Sequence, residues 1–481
     1  MRTLLAPLLL AAAALAGDAE RPLWVALGEK SLLARLEPLA ALRRAQGMEV
    51  ALLQGGGAAP LRALPRAPSY LLLVGDDAPG SGAEPWRLPA PRRELYRWRR
   101  QQAPTYADDS AWAECPVGRI PARTPEQVAA VVAKVVAYEA RAPSGSDLRL
   151  VVWAGAPGYG GAVDAMATGL LVHTVRRLAP AWAGAWMISG DEKQPLCGWP
   201  PDQPALFSDA MREGSILNAA VAHAHETALF SMNHQGQPIW YEVADVRKGG
   251  GDGPAAPLVL LACDCARFDG GEETLAEACL FEPGGPVAVV GATTESHPLT
   301  NYFSGVAMLK ALDGAYGRRP RLGDLWQEAQ RRAGEERDAL IEFSLRDVEG
   351  KLEETIDVAK LREDQRHMYA LLGDPALRLP LPEPLAAKLL DRRWSAERVP
   401  GATRLEVALL AAVPEPAPVL EGDAAAQARA RFVAANAARA FVPLATIEGD
   451  GPWEGECPAA GRLRLVAVGA GILRVAVLEV D

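Results

Sequence analysis

Cysteine is scarce in this chain of 481 residues, with six in all, at Cys115, Cys197, Cys263, Cys265, Cys279 and Cys457. That density is far too low for a disulfide scaffold. No spacing repeats as a paired CxxC, so a structural zinc module is not expected. Charge of one sign is also wanting. Fifty Lys and Arg stand against sixty Asp and Glu, a net charge of −10, and no block of like charges interrupts the mixture. Such a surface has no electrostatic reason to seek nucleic acid or an anionic membrane. Beyond the first residues no apolar run approaches the ~20 residues that span a bilayer. Internal repeats are missing, and low-complexity tracts are limited to Ala-rich helices. What remains is an ordinary globular balance, 49% hydrophobic and 23% charged. The length suits two to four domains at ~100–200 residues each.

The opening stretch, residues 1–16, reads as a leader. Arg2 supplies a short positive region, Leu4 to Ala13 an apolar run, and Ala14-Leu15-Ala16 a small-x-small cleavage site. The run is short for a membrane span, and the alternative is a buried N-terminal strand or helix. A leader predicts a soluble mature protein outside the cytoplasm.

After it, short apolar runs alternate with amphipathic segments. Leu23 to Leu27, Val50 to Leu53 and Tyr70 to Val74 read as buried strands, with a helix over Ser31–Gln46 stopped by Gly47. Thr124-Pro125-Glu126 opens a helix running through Tyr138, with Thr as N-cap and Pro in the first turn. Ala142 to Asp147 is turn-rich. Leu148 to Ala154 reads as a strand and Val163 to Leu178 as a helix. Leu258 to Ala262 and Val287 to Gly291 read as two more strands around another helix, and a long charged helical stretch spans roughly Leu322 to His367. Continuous apolar strands separated by helices point to a parallel sheet covered on both faces. From about Glu383 the chain turns rich in Pro and Ala and ends in alternating segments such as Arg462–Val468, the period of half-buried antiparallel strands.

Two strand ends carry the chemistry. One is Ala220-Val221-Ala222-His223-Ala224-His225-Glu226-Thr227, the other Leu258-Val259-Leu260-Leu261-Ala262-Cys263-Asp264-Cys265. Ligands of open α/β sheets bind beyond the carboxyl ends of the strands. A His and a Cys meeting there suit a thiolate nucleophile assisted by an imidazole. Alternate residues of a strand share a face, so His225 would point the same way as His223. A His-x-His pair can also hold zinc, although no third ligand stands at usable local spacing.

The order of motifs along the chain resembles the gingipain family of cysteine peptidases. His223-Ala224-His225-Glu226-Thr227-Ala228 is similar to the family's histidine segment GHGSETA. Ala262-Cys263-Asp264-Cys265-Ala266-Arg267-Phe268 is similar to its nucleophile segment AC-x-x-G-x-F. Thr274 to Ala278, Gly285 to Ala292, Tyr106 to Asp109 with Val117 to Ala122, and Leu371-Leu372-Gly373-Asp374-Pro375-Ala376-Leu377 complete the series in the family's order. The resemblance implies a caspase-like α/β parallel-sheet core in two subdomains, 17–145 and 146–385 (the latter catalytic), followed by a C-terminal β-sandwich over 386–481. It implies Cys263 as nucleophile and His223 as general acid/base. The oxyanion hole would come from the backbone N–H groups of Cys263 and Ala224. The implied activity is hydrolysis of peptide bonds through a thioester, on protein or peptide substrates, by a bacterial protein that is secreted, periplasmic or at the cell surface. A monomer is expected. No cofactor is expected either; the resemblance admits calcium, but no EF-hand-like loop is visible and no calcium site is identified.

The chain departs from the family at Ala222, Ala224 and Ala266, where the family has glycine. Alanine keeps the N–H but is strained if the backbone needs φ > 0. An inactive relative acting as a surface or binding module therefore stays open beside the active enzyme, as does a metal hydrolase using His223 and His225. Cys265 has no derivable catalytic role, and either burial or a disulfide would account for it. His225 would line the primed side or sit in a solvated loop, and His297 would border the pocket because it follows the strand ending at Gly291. Asp108, Asp109 and Glu114 lie where basic-specific relatives carry the acid of their primary pocket. Asp109 is the candidate substrate-binding residue, against a solvated or turn-capping role. Asp374 precedes Pro375, which suggests a turn or cap.

Overall fold

A computed structural model describes residues 20–56, 59–78, 84–95, 101–102, 115–233, 237–248, 253–346, 356–411, 423–449 and 451–481. The leader, Asp108, Asp109 and Glu114 lie outside the described residues.

The apolar runs become strands. They are β1 (Leu23–Gly28), β2 (Glu49–Gln54), β3 (Tyr70–Val74), β4 (Val117–Ile120), β5 (Arg149–Ala154), β6 (Gly184–Ser189) and β7 (Leu217–Val221). They are buried along the whole of β1 and over most of the others, with the edge strand β2 partly exposed. Three strands of a separate hairpin sheet follow, β8 (His223–His225), β9 (Ala228–Asn233) and β10 (Gln237–Glu242). The chain then returns to the main sheet through β11 (Leu258–Leu261), β12 (Val289–Ala292) and β13 (Tyr369–Leu372). The main sheet has ten strands in the order β2-β1-β3-β4-β13-β12-β11-β7-β5-β6. Strands β11, β12 and β13 are buried at every position, as helices on both faces of a parallel sheet require.

Every neighbouring pair in this sheet is parallel except β12 and β13. The sheet is therefore two parallel halves joined back to back, five strands from β2 to β13 and five from β12 to β6. Carboxyl ends of the two halves open on opposite edges, so residues following β7, β11 and β12 gather on one edge, away from those following β1, β3 and β4.

Helices fill the crossovers: α1 (Glu37–Ala45), α2 (Pro125–Ala140), α3 (Gly161–Leu178), α4 (Gln203–Arg212), α5 (Leu275–Phe281), α6 (Pro298–Gly314), α7 (Leu322–Glu335), α8 (Ala339–Leu345) and α9 (Val358–Met368). Thr124 closes a capping box at α2, its hydroxyl accepting from Gln127 N while Gln127 Oε1 accepts from Thr124 N. The single charged helix expected over Leu322–His367 is instead divided among α7, α8 and α9. Asp338 caps α8 by accepting from Leu340 N and Ile341 N, and Asp357 caps α9. Each capping Asp starts a new helix where the charge pattern alone reads as continuous.

Two of the quoted motifs explain one another structurally. A side chain at Gly118 would lie 2.2 Å from Gly373 O and 2.8 Å from Pro375 Cδ. Glycine at 118 is thus what lets the Gly373-Asp374-Pro375 turn settle on β4. Asp374 accepts from Ala376 N at 2.9 Å, the expected turn role. It also receives Trp24 Nε1 at 3.0 Å and two nitrogens of the fully buried Arg43, at 2.9 and 2.7 Å. Arg43 reaches Glu139 at 2.8 Å as well.

The C-terminal region is a two-sheet sandwich. Strands β14 (Glu383–Pro384), β15 (Ala387–Leu390), β16 (Arg393–Ala396), β17 (Ala402–Ala411), β18 (Val442–Glu448), β19 (Trp453–Glu456), β20 (Gly461–Gly469) and β21 (Ile472–Val480) form sheets β14-β21-β20-β17-β18 and β15-β16-β19. Trp394, Trp453, Leu405, Val407, Leu463 and Leu465 share the core between them. Helix α10 (Ala424–Ala437) interrupts the strands and packs on the half of the main sheet that runs from β12 to β6. Its Asn436 donates to Met187 O and accepts from Met187 N, at 3.1 and 2.8 Å, on edge strand β6. Arg464 of β20 crosses to the carbonyls of Leu148, Trp182 and Gly145. Burial lowers its pKa to about 10, still well above neutrality.

Candidate active site

Strands β7 and β11 are neighbours, and their register pairs Val221 with Leu261. Two residues past that row stand His223 on one strand and Cys263 on the other. Parallel neighbours lie about 4.8 Å apart, so both side chains enter the same space. They line one cavity of about 140 Å³, together with residues of α3, α6 and the loop after β5.

The imidazole of His223 is held on three sides. Its Nε2 meets Pro157 O at 2.7 Å, its ring stacks on Phe230 at 5.2 Å and 16°, and Tyr159 approaches edge-on at 5.9 Å. A carbonyl only accepts, so this hydrogen bond puts a proton on Nε2. The hairpin sheet provides the stacking partner because its register sets His223 opposite Phe230 and Phe230 opposite Trp240. His225 lies on the same face, as alternation requires, but is exposed and packs on Trp240 at 5.5 Å. It does not line the cavity.

Cys263 is half-buried at the tip of β11. Ser296 N donates to its Sγ at 3.3 Å, and the Ser296 hydroxyl lies 3.7 Å from it. That hydroxyl is oriented in turn by Asn301 Nδ2 at 2.8 Å, and Asn301 Oδ1 accepts from Tyr369 O–H at 2.7 Å. Cys265 and Cys279 are fully buried, and burial pushes both thiols up, that of Cys279 to about 12. None of the six cysteines is disulfide-bonded, so Cys265 is a packed core thiol.

His297 is fully buried as the N-cap of α6, its Nδ1 accepting from Leu299 N at 3.2 Å. It therefore stands behind the cavity wall rather than bordering the pocket. Asp109 lies outside the described residues. Among the described residues no group of three His, Cys, Asp or Glu side chains could hold a metal ion.

The backbone at the three alanines is ordinary. The non-glycine residues with positive φ are Asp264, Arg319 and Asp391 among those described, so Ala222, Ala224 and Ala266 carry no such strain. Room for the extra methyls comes from across the chain. A side chain at Gly155 would stand 2.9 Å from Ala222 Cβ, and one at Gly291 would stand 2.8 Å from Ala266 Cβ. The left-handed residue is Asp264, at φ 53, directly after the thiol. Asp264 N donates to Thr294 O at 3.0 Å, and Asp264 O accepts from Arg267 N at 3.0 Å. Aspartate enters that region more readily than most side chains, and the sharp turn leaves Cys263 at the strand tip. Sequence reasoning missed Asp264; its one signal is a short polar residue immediately after a strand-end cysteine.

Residues 60–380 match the model of Peptidase family C25. Among solved structures the chain is similar to the Arg-specific cysteine proteinase gingipain R, RgpB, at 13% identity and TM-score 0.55, covering 96% of this chain and 98% of that one. A complex of the Porphyromonas gingivalis RgpB pro- and mature domains matches at 13% identity and TM-score 0.52, over 95% and 100% of the two chains. A further protease structure matches at 13% and 0.54, over 95% and 97%. No curated protein matches. Likeness at this identity establishes the caspase-like fold, and the family match covers well over half of the sequence. The chain belongs to peptidase family C25, the gingipain family of cysteine peptidases.

Proposed function

We propose that Cys263 and His223 are the catalytic pair of an exported endopeptidase that cleaves peptide bonds through a thioester. The observation that carries this reading is the Val221–Leu261 register, which delivers the two side chains from adjacent strands into one cavity. In acylation the Cys263 thiol proton passes to His223, Sγ bonds to the scissile carbonyl carbon, the C–N bond breaks, and His223 delivers that proton to the departing amine. In deacylation His223 takes a proton from water, the oxygen bonds to the same carbon, and the C–S bond breaks to restore the thiol. With Nε2 anchored on Pro157 O, the nitrogen that carries this proton is Nδ1. Backbone N–H groups of Cys263 and Ala224 receive the oxyanion, a role suited to donors already fixed at strand ends. Ser296 N steadies the thiolate between steps. Export rests on the leader at residues 1–16.

Alkylation of the full mature chain by iodoacetamide tests the pair directly. Cys263 is expected to label first, ahead of the buried Cys265 and Cys279. Cys263→Ala is expected to lose all cleavage of a pooled fluorogenic peptide library. Cleavage that survives this substitution refutes the assignment.

A further inference from the structure

The cavity that holds the candidate pair is almost wholly apolar. Val163, Met166, Leu170, Leu171, Leu261 and Tyr302 make up much of its wall, and no Asp, Glu, Lys or Arg lines it among the described residues. Its polar groups are already engaged with one another. Thr168 O–H donates to Asp164 O at 2.7 Å. Asn301 is held by Ser296 and Tyr369, and the Tyr302 hydroxyl lies 3.1 Å from that of Thr174. Asp164, the nearest acid in the sequence of α3, accepts from Tyr159 N at 2.9 Å and stands outside the lining. A guanidinium or ammonium entering this space would leave water without finding a counter-charge among the described residues, which is strongly unfavourable.

The volume narrows the class. At about 140 Å³ the cavity is close to the ~150 Å³ apolar void known to take up a benzene-sized guest. An unbranched or γ-branched aliphatic side chain, or a phenyl ring, fills it. Exposed apolar side chains continue the surface at the mouth, where Tyr159, Val163 and Met166 are 39%, 36% and 50% accessible. These lie where a substrate would cover them.

We infer that this cavity is the primary specificity pocket and that the chain cleaves after leucine, methionine or phenylalanine, not after a basic residue. The inference rests on the proposed Cys263–His223 pair, because the acyl carbon attacked by Sγ belongs to the residue whose side chain lies beside it. It separates this chain from the Arg-specific gingipain R that it resembles in fold.

Acyl-dipeptidyl aminomethylcoumarins that differ only in the residue before the coumarin test it, using the mature full chain, Cys263→Ala and Ala167→Phe. Ala167 lines the cavity from α3, and a phenyl group there occupies the space. Leu, Met and Phe substrates are expected to exceed Ala by roughly 10- to 100-fold in kcat/KM, the worth of burying such a side chain. Arg and Lys substrates are expected at least ~100-fold below them. Ala167→Phe is expected to bring the Leu/Ala ratio close to one. A preference for Arg, Lys or Asp that still depends on Cys263 overturns the inference and leaves the peptidase reading standing. An unchanged Leu/Ala ratio in Ala167→Phe also overturns it. If the chain turns over no substrate, protection of Cys263 from iodoacetamide by acyl-leucinal and acyl-argininal decides. Stronger protection by the leucinal supports the apolar pocket even as the activity reading fails, and equal or absent protection sinks it.

Discussion

Replacing Asp374 with asparagine probes a contact that lies away from the candidate pair and holds the first half of the sheet together. The carboxylate of Asp374 and the guanidinium of Arg43 are both fully buried and meet at 2.7 Å. Unit charges at that distance attract by roughly 6 kcal/mol at an effective dielectric of about 20. Asparagine keeps the shape and one carbonyl oxygen for Trp24 and Ala376, yet it removes the charge. Arg43 retains Glu139, itself almost entirely buried, so the guanidinium is not wholly abandoned. The expected loss is therefore about 3–5 kcal/mol, the range for breaking one side of a buried pair. Against a typical total of 5–15 kcal/mol this is a large fraction, and urea unfolding followed by circular dichroism reads it as a lower midpoint. Arg43→Met combined with Asp374→Leu is expected to cost more than Asp374→Asn alone, because it strands the buried Glu139 carboxylate and leaves Trp24 Nε1 and Ala376 N without their acceptor. Alkylation of Cys263 under native conditions is expected to keep its rate, since neither residue touches the cavity. A loss below about 1 kcal/mol for Asp374→Asn, or a double variant more stable than the single, would refute the reasoning.

Three further outcomes concern other parts of the molecule. Glu277, buried in the capping box of α5, has its carboxyl pushed from 4.5 up to about 8, first by burial and then by Asp76. The folded state then holds a proton that the unfolded state has released. Stability should fall as pH rises from about 4.5 to about 8 and level off above that. Glu277→Gln, which preserves the acceptor for Thr274, should remove this slope in urea titrations across that window. Asp264→Val forces a β-branched residue to φ 53, which should cost about 1–2 kcal/mol and slow peptide cleavage, whereas Asp264→Gly should be tolerated. Ser296→Ala removes the hydroxyl near Sγ but keeps the backbone donor, so the pH profile of Cys263 alkylation should shift by less than it does in His223→Ala.

The sheet was legible because buried strands announce themselves by uninterrupted apolar runs. Tyr70 to Val74 and Leu258 to Leu261 fall where the pattern puts them, and Thr124 and Pro125 mark the start of α2 from local chemistry alone. Local pattern could not reveal that β12 and β13 run in opposite senses, because strand direction depends on where the intervening chain crosses. The hairpin sheet behind His223 was hidden for a similar reason. Its partners Phe230 and Trp240 are ordinary aromatics until the register brings them to the imidazole. Asp374 looked like a turn residue and is one, but its ion pair joins positions 331 residues apart. Helix α10 went unread inside a segment dominated by strand periodicity, since its Ala-rich face has little amphipathic contrast.

Asn436 covers the outer edge of the sheet half that carries His223 and Cys263. By satisfying both backbone groups of Met187, it fills a rung on the last strand that a further strand would otherwise use. A bare edge on this sheet would be a berth for any extended chain, including a second molecule. With that berth occupied by a side-chain amide from α10, extended peptides are turned away at that rung, and the sandwich acts as a bolt on the sheet as well as an appendage to it. Cutting the chain after Leu381 would draw that bolt, and the expected symptom is self-association along β6 before any change in the chemistry at Cys263.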